Sequence, residues 1–281
     1  MKEEKSVADA SRLSINQYTT REKWGLREAV EGYSRHGVRG ISVTRETLVD
    51  LGVAETKSLL DGHGMFVSGY CIGGLLTDQD DVRFQDKIDE NKRIIDEAAA
   101  IDAACIVFVA GGLPEGSKDI DAARDRCLEG LDALVPHARG TGVTIGLEPL
   151  HPMTCSLRSC LTTLSQAIDW CDQLGTGPEL GVVLDVYHVW WDPSLASGIE
   201  RAAGRIAALH VSDWLTDTCD LRVDRGMMGD GVIDIPKIRA AVESVGYNGA
   251  IEVEIFSERN WWQREPNEVV EIVKERYSQY V

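Results

Sequence analysis

The chain has 281 residues, of which 43% are hydrophobic and 27% are charged, the usual balance for a globular protein. Its net charge of −17 disfavours nucleic acid and anionic membrane surfaces as partners and favours a neutral or weakly charged small molecule. No apolar stretch is long enough to span a bilayer, and the MKEEK start has no hydrophobic signal region, so we expect a cytoplasmic location. The seven cysteines form no CxxC pair, which predicts reduced, structural thiols.

Eight short apolar segments run through the chain, and a segment with helical periodicity follows each one. They are rich in Val, Ile and Leu, as buried parallel strands are. The predicted strands are 12–19, 38–44, 66–73, 105–110, 144–150, 181–188, 207–213 and 250–257. The predicted helices are 22–36, 45–62, 80–102, 118–140, 157–174, 194–204, 235–246 and 265–279, with Asp119 as N-cap and Gly140 as the stop of the fourth.

Eightfold alternation of strand and helix predicts an α/β fold, a single (β/α)8 TIM barrel. We expect one domain over residues 1–281, with residues 1–10 as a flexible N-terminal tail. A doubly wound open sheet is the alternative, but it would favour a glycine-rich phosphate loop after the first strand, and residues 17–23 contain no glycine. The longest loop, about 214–233, follows the seventh strand, where a barrel builds its active-site face.

Four ionisable residues lie at or near the ends of predicted buried strands, namely Glu148, Asp185, His210 and Glu254. A buried carboxylate costs several kcal/mol unless a cation compensates its charge. Strand alternation directs these four side chains into the barrel mouth, together with Glu252 one layer deeper. Three carboxylates and one imidazole suit Mn²⁺, Mg²⁺, Co²⁺ or Zn²⁺, so we predict a site for one divalent metal ion.

A layer of inward salt bridges is the alternative explanation for these charged residues. It requires inward-facing arginine or lysine partners, and the eight predicted strands offer only Arg12 and Arg39, both early in their strands. We therefore favour the metal site over the salt-bridge layer.

Five motifs in the C-terminal half resemble those of the xylose isomerase-like barrel superfamily, in its sugar phosphate isomerase/epimerase branch. They occur in the order and spacing of that branch, and the N-terminal half agrees mainly in its strand–helix rhythm and in GGLPEGSKD (111–119). The motifs are GLEPLHP (146–152), VVLDVYHVWWDP (182–193), ALHVSDW (208–214), DRGMMGDGVIDI (224–235) and IEVEIFSERNWW (251–262).

The resemblance implies roles for individual residues. It makes the four strand-end residues the metal ligands, and Mn²⁺ is the metal expected first. In the ketose 3-epimerases, the glutamates that match Glu148 and Glu254 also exchange the substrate proton. Glu148 and Glu254 are then the catalytic pair. His188 matches the LDxxH histidine and Arg225 the arginine of an RxxxG[ED]G motif, and both contact substrate in that family. The alternatives are that His188 orients a metal ligand and that Arg225 anchors a loop.

The function implied is that of a metal-dependent sugar isomerase or epimerase. It removes a proton next to a carbonyl through a metal-stabilised enediolate, and the substrate is a small sugar or keto-sugar. Trp214, with the tryptophans at 190, 191, 261 and 262, is predicted to contact the apolar side of a sugar, although these rings could instead form a subunit interface. Related barrels often form dimers, so a homo-oligomeric assembly is a further alternative.

Three other functions compete with this one. A metal-dependent lyase or dehydratase would begin with the same proton abstraction, so the sequence does not separate it. The abasic-site endonuclease branch requires further histidines, and Gly226 stands where one would be expected. A non-catalytic sugar-binding or regulatory subunit would need no metal, and the full set of ligand types argues against it.

Overall fold

A computed structural model describes residues 9–175 and 177–281 and contains a closed barrel of eight parallel strands in the order β1 to β8. The predicted (β/α)8 fold is therefore confirmed. The strands are β1 Leu13–Asn16, β2 Gly40–Thr44, β3 Phe66–Gly74, β4 Cys105–Val109, β5 Thr144–Leu147, β6 Leu180–Asp185, β7 Ile206–Val211 and β8 Ile251–Val253.

The helices surround the barrel and pack on it through their apolar faces. They are α1 Leu26–Arg35, α2 Arg45–Leu51, α3 Val53–Gly62, α4 Asp81–Ala100, α5 Ile120–Ala138, α6 Leu164–Leu174, α7 Val186–Val189, α8 Leu195–Arg201, α9 Ile235–Ser244 and α10 Pro266–Tyr280. Asp119 caps α5 as predicted, because its side chain accepts the backbone N–H of Ala122. The main apolar core lies between the strands and these helices.

Two predicted helices were wrong in extent. The helix predicted at 45–62 is two helices, because Gly52 between them has a φ of 91° that ends α2. The helix predicted at 157–174 begins only at Leu164, where Thr163 caps it by accepting the backbone N–H of Gln166. Residues 148–163 instead form a long loop at the carboxyl end of β5.

Four predicted strands were too long: those predicted at 12–19, 144–150, 181–188 and 250–257 end at Asn16, Leu147, Asp185 and Val253. A polar cap ends two of them, β6 and β1. β6 ends at Asp185, whose side chain accepts the backbone N–H of Tyr187 and starts the short helix α7. β1 ends at Asn16, and its side chain caps a 3-10 turn in the same way by accepting the backbone N–H of Tyr18. In both cases a short polar side chain competes with the strand ladder for the backbone.

Most of the predicted N-terminal tail, residues 1–8, lies outside the described residues. Asp9 caps a 3-10 turn over Ala10–Arg12, and its carbonyl accepts the Tyr277 hydroxyl of α10. Within the described ranges, none of the helices combines the length and apolar character that crossing a bilayer requires.

Candidate functional site

A pocket of about 290 Å³ opens at the carboxyl ends of the strands, a volume at the small end of ligand pockets. Glu148 and Glu254 lie on its wall with His188 and Arg225. The loops that follow β1, β5 and β7 form its rim, in agreement with the expectation that the long loop after the seventh strand borders the site.

The register of the sheet brings the four predicted metal ligands together. Asp185 of β6 pairs with His210 of β7, so their side chains are neighbours on the inner face of the barrel. Glu148 and Glu254 each follow the last residue of their strand, and their backbone N–H groups still donate to the neighbouring strand. One donor atom from each of the four residues lies within 4.8 Å of the others, and all four are buried.

The donor set fits a hard or borderline divalent cation. Within residues 9–175 and 177–281, neither ring nitrogen of His210 makes a hydrogen bond, and Oε1 of Glu148 makes none either. His210 Nδ1 and Glu148 Oε1 are 3.3 Å apart, without hydrogen-bond alignment. Buried polar atoms normally have a partner, and a cation bound between these two atoms would supply it.

Arg225 enters the same cluster from the loop after β7. Its Nη1 lies 2.9 Å from Asp185 Oδ2 and 2.9 Å from Glu254 Oε2, and its guanidinium packs over the rings of Tyr187 and Phe256. The sequence prediction considered inward-facing cations on the strands only, and it therefore missed this arginine on a loop. The guanidinium pairs directly with two of the three carboxyl groups, and within the described residues it forms no ion pair with Glu148, so the salt-bridge explanation accounts for part of the cluster only.

The carboxyl groups of the cluster have shifted pKa values. Burial raises the pKa of Glu254 to about 8 despite the opposing charge of Arg225. Burial also raises the pKa of Glu148. Burial acts in the same direction on Asp185, but Arg225 and the neighbouring imidazoles outweigh it and lower the pKa of that carboxyl. Two of the three carboxyl groups therefore carry an electrostatic cost that a bound cation would reduce.

The two buried imidazoles shift in opposite directions. Burial alone would lower the pKa of His210, but Glu252, Glu148 and Glu254 outweigh it and raise the pKa to about 10. For His188, burial dominates and lowers the pKa to about 3. His188 is therefore neutral at pH 7, whereas the surroundings of His210 attract positive charge.

Glu252 lies beneath the four clustered residues, as strand alternation predicts. Asn16 donates from Nδ2 to Glu252 Oε1 at 2.7 Å and to Glu254 Oε1 at 3.0 Å. The Ser68 hydroxyl donates to Glu252 Oε2 at 2.8 Å, and His210 Nε2 is 3.5 Å from Glu252 Oε1. Glu252 thus connects the imidazole to a buried polar layer.

The three residues predicted to contact substrate take different positions. Arg225 Nη2 lies 3.2 Å from His188 Nε2, and both side chains are on the pocket wall. Trp214 does not belong to the described lining of this pocket. Its ring instead stacks on His151 at 4.8 Å and lies 4.9 Å from Tyr187, the ring on which Arg225 packs.

Sequence reasoning missed several residues of the pocket. Tyr18 and Phe256 form an aromatic wall with ring centroids 4.7 Å apart, and the indole of Trp262 donates to the Tyr18 carbonyl. Phe256 lies two residues after Glu254, so alternation along the last strand accounts for its inward position. Arg158 and Arg222 lie on loops after β5 and β7, where neither spacing nor periodicity predicts direction.

Comparisons with known proteins match nearly the whole chain. The family model described as xylose isomerase-like TIM barrel matches residues 30–275. An inosose isomerase of Halalkalibacterium halodurans is 25% identical over 279 residues, covering 94% of each chain. A ketose 3-epimerase of Arthrobacter globiformis is 25% identical over 257 residues, covering 80% of each chain.

Solved structures are also similar to this chain. Protein SMc04130 of Sinorhizobium meliloti 1021 is 47% identical, with a TM-score of 0.94 and coverage of 97% of this chain and 99% of that one. A structure described as IOLI protein with a binding zinc atom is 21% identical, with a TM-score of 0.83 and coverage of 96% and 99%. At that identity the second similarity shows the fold alone.

Proposed function

The chain belongs to the xylose isomerase-like TIM barrel family, and we propose that it is a divalent-metal-dependent isomerase or epimerase of a small sugar or keto-sugar. The observation that carries the proposal is the convergence of four buried donor atoms within 4.8 Å, two of them on glutamates that line a pocket. The relatives named inosose isomerase and ketose 3-epimerase support this class of reaction.

We propose that Glu148, Asp185, His210 and Glu254 hold the metal ion, with Mn²⁺ first and Mg²⁺, Co²⁺ or Zn²⁺ as alternatives. A bound divalent cation would polarise a substrate carbonyl and stabilise the negative charge of an enediolate. One protein of the same fold is described with a bound zinc atom, so this barrel architecture is compatible with a divalent metal.

Glu148 and Glu254 are the proposed proton carriers. A C–H bond next to a carbonyl is a weak acid, so a carboxylate must be close to the carbon that loses the proton. Both glutamates lie on the pocket wall, on strands three positions apart in the barrel. One carboxylate can accept the proton and the other return it, to the same carbon for epimerisation or to its neighbour for isomerisation.

His188 and Arg225 are the proposed contacts to substrate oxygens. Their nitrogens are 3.2 Å apart on the pocket wall, and the guanidinium packs against two aromatic rings. Arg225 carries fixed donors, so it can orient a hydroxyl or carbonyl without changing its own charge. Placement of the substrate oxygens by fixed donors reduces the entropy that the reaction must overcome.

Solvent deuterium incorporation tests the proposal. Protein loaded with Mn²⁺ is incubated in D₂O with inososes, D-fructose and D-tagatose, and ¹H NMR follows the carbons next to the carbonyl. We expect exchange together with formation of the epimer or isomer. Glu148→Gln and Glu254→Gln should each lower kcat by about 10²–10⁴, because each removes a proton carrier.

Metal content is measured for each variant, because both glutamates are also proposed ligands. Glu258→Gln is the matched control, since this exposed carboxylate follows β8 but lies outside the described pocket lining, and it should retain full activity. Full turnover in Glu148→Gln or Glu254→Gln, or epimerisation without solvent exchange, would contradict the proposed mechanism.

A further inference from the structure

Two arginines on the pocket rim have side chains without partners. Arg158 lies on the loop after β5 and Arg222 on the loop after β7, so they flank the pocket from strands on either side of β6. In the part of the chain that the structure describes, no hydrogen bond or ion pair reaches either guanidinium. A chain with 46 acidic and 29 basic residues offers many carboxylates, so two unpaired arginines facing one pocket call for an explanation.

The acidic residues next to Arg222 are engaged elsewhere. Asp220 Oδ1 accepts the backbone N–H groups of Arg222 at 2.8 Å and Val223 at 3.1 Å, which forms a tight turn. Asp224 Oδ2 accepts the backbone N–H of Cys219 at 2.9 Å. These aspartates fix the backbone that carries Arg222, and Asp220 attracts its charge without forming an ion pair, so the guanidinium stays exposed at the pocket.

Arg158 is half-buried and close to other cations. Burial and the nearby charge of Arg222 lower the pKa of Arg158, and the charge of Arg225 acts in the same direction. Glu148 is the nearby carboxylate that opposes this effect. The two rim arginines therefore repel each other, and they lie within electrostatic range of the proposed reaction site. A negative group between them would relieve the repulsion.

The other arginines of the pocket already have partners. Arg225 is paired with Asp185 and Glu254, and Arg21 lies 3.6 Å from Glu22 and over the ring of Tyr18. The feature that distinguishes Arg158 and Arg222 is thus a guanidinium without a direct ion pair among the described residues, although the charges of Glu148 and Asp220 lie nearby. This local positive charge is opposite in sign to the net charge of the chain. The net charge alone favours a neutral or weakly charged substrate.

We infer that the substrate carries an anionic substituent, a carboxylate or a phosphate, which Arg158 and Arg222 bind while its carbonyl end faces Glu148 and Glu254. Arginine binds both groups through paired N–H donors, so its geometry suits either. The inference rests on the proposed function for the reaction, and it adds a substrate class: an acidic or phosphorylated keto-sugar.

The test compares ligands that share one carbon skeleton. D-Fructose, D-fructose 6-phosphate and D-fructuronate are titrated by calorimetry into the Mn²⁺-loaded protein, and inorganic phosphate is a fourth probe. We expect at least one anionic ligand to bind about tenfold or more tightly than D-fructose, since hydrogen bonds between charged groups are the strong ones. Tighter binding of the phosphate or of the carboxylate identifies which anion the site prefers.

The double variant Arg158→Gln/Arg222→Gln should remove that preference, so that the anionic ligand binds no more tightly than D-fructose. For any ligand that turns over, KM should rise for the anion and kcat should change little. Arg259→Gln is the matched control, because this exposed arginine is on the same face but outside the described pocket lining. Absence of any anion preference, or an equal preference in the double variant, overturns the inference. Binding without deuterium exchange would count against the proposed function alone.

Discussion

Glu252 is buried between His210 and the polar side chains of β1 and β3. Its Oε1 lies 3.5 Å from His210 Nε2 on one side and accepts from Asn16 on the other, and Ser68 donates to its second oxygen. His210 Nδ1 faces Glu148, so the imidazole stands between a proposed metal position and a carboxylate. Carboxylates in this position fix the orientation and basicity of a metal-binding histidine.

We therefore expect Glu252→Gln to weaken metal affinity by about 10- to 100-fold, because the imidazole loses its orienting charge. Affinity is measured by competition with a chelator of known strength. The KM measured at saturating metal should stay constant, since Glu252 does not line the pocket described here. Glu97→Gln is the control. Glu97 pairs with Arg45 and Tyr70, remote from the site, and its loss should lower stability without changing metal affinity.

The loop between β7 and α9 depends on one carboxylate, that of Asp213. Asp213 Oδ2 accepts the backbone N–H groups of Gly229 at 3.0 Å and Gly231 at 2.9 Å, and Oδ1 accepts those of Trp214 and Ile233, both at 2.9 Å. A Cβ at Gly231 would lie 2.1 Å from the Trp214 carbonyl oxygen, so the loop closes tightly here. This loop also carries the two arginines at 222 and 225.

We expect Asp213→Ala to lower the free energy of unfolding by roughly 3 kcal/mol, because four backbone donors lose a buried acceptor. Urea denaturation measures the loss. Asp213→Asn retains one acceptor oxygen and should lose less. A second readout follows from the position of the loop: KM should rise in Asp213→Ala, since the loop that carries Arg225 loses four of its backbone contacts. Equal stability of wild type and Asp213→Ala would show that solvent replaces the carboxylate.

The periodicity of the elements explains how much of this molecule the sequence predicts. Alternation along buried strands is strict, so it placed Glu148, Glu254 and Phe256 on the inner face without knowledge of the neighbouring strands. Loop residues have no such period. The position of Arg225 between Asp185 and Glu254 depends on a loop fold that local sequence does not encode, and the helix predicted from residue 157 failed for the same reason.

The whole molecule carries a net charge of −17, and the barrel mouth concentrates part of it in a buried cluster. Exposed carboxylates are screened by water and salt and attract cations weakly. Clustered buried carboxylates are not screened, so they should bind a divalent ion tightly and specifically. Metal binding at this site should therefore stabilise the folded barrel far more than general charge neutralisation does.

We expect Mn²⁺ at 100 times its Kd to stabilise the chelator-treated protein by about 2.7 kcal/mol, because the metal binds the folded state alone. For a domain of this size the melting temperature should rise by roughly 4–6 °C, measured by differential scanning fluorimetry. The double variant Asp185→Asn/His210→Gln should abolish this rise in melting temperature, because it removes two ligands and leaves the acidic surface unchanged. Equal stabilisation of that variant, or of the wild type by Na⁺ at matched ionic strength, would mean that the ions act on surface charge and not at the barrel mouth.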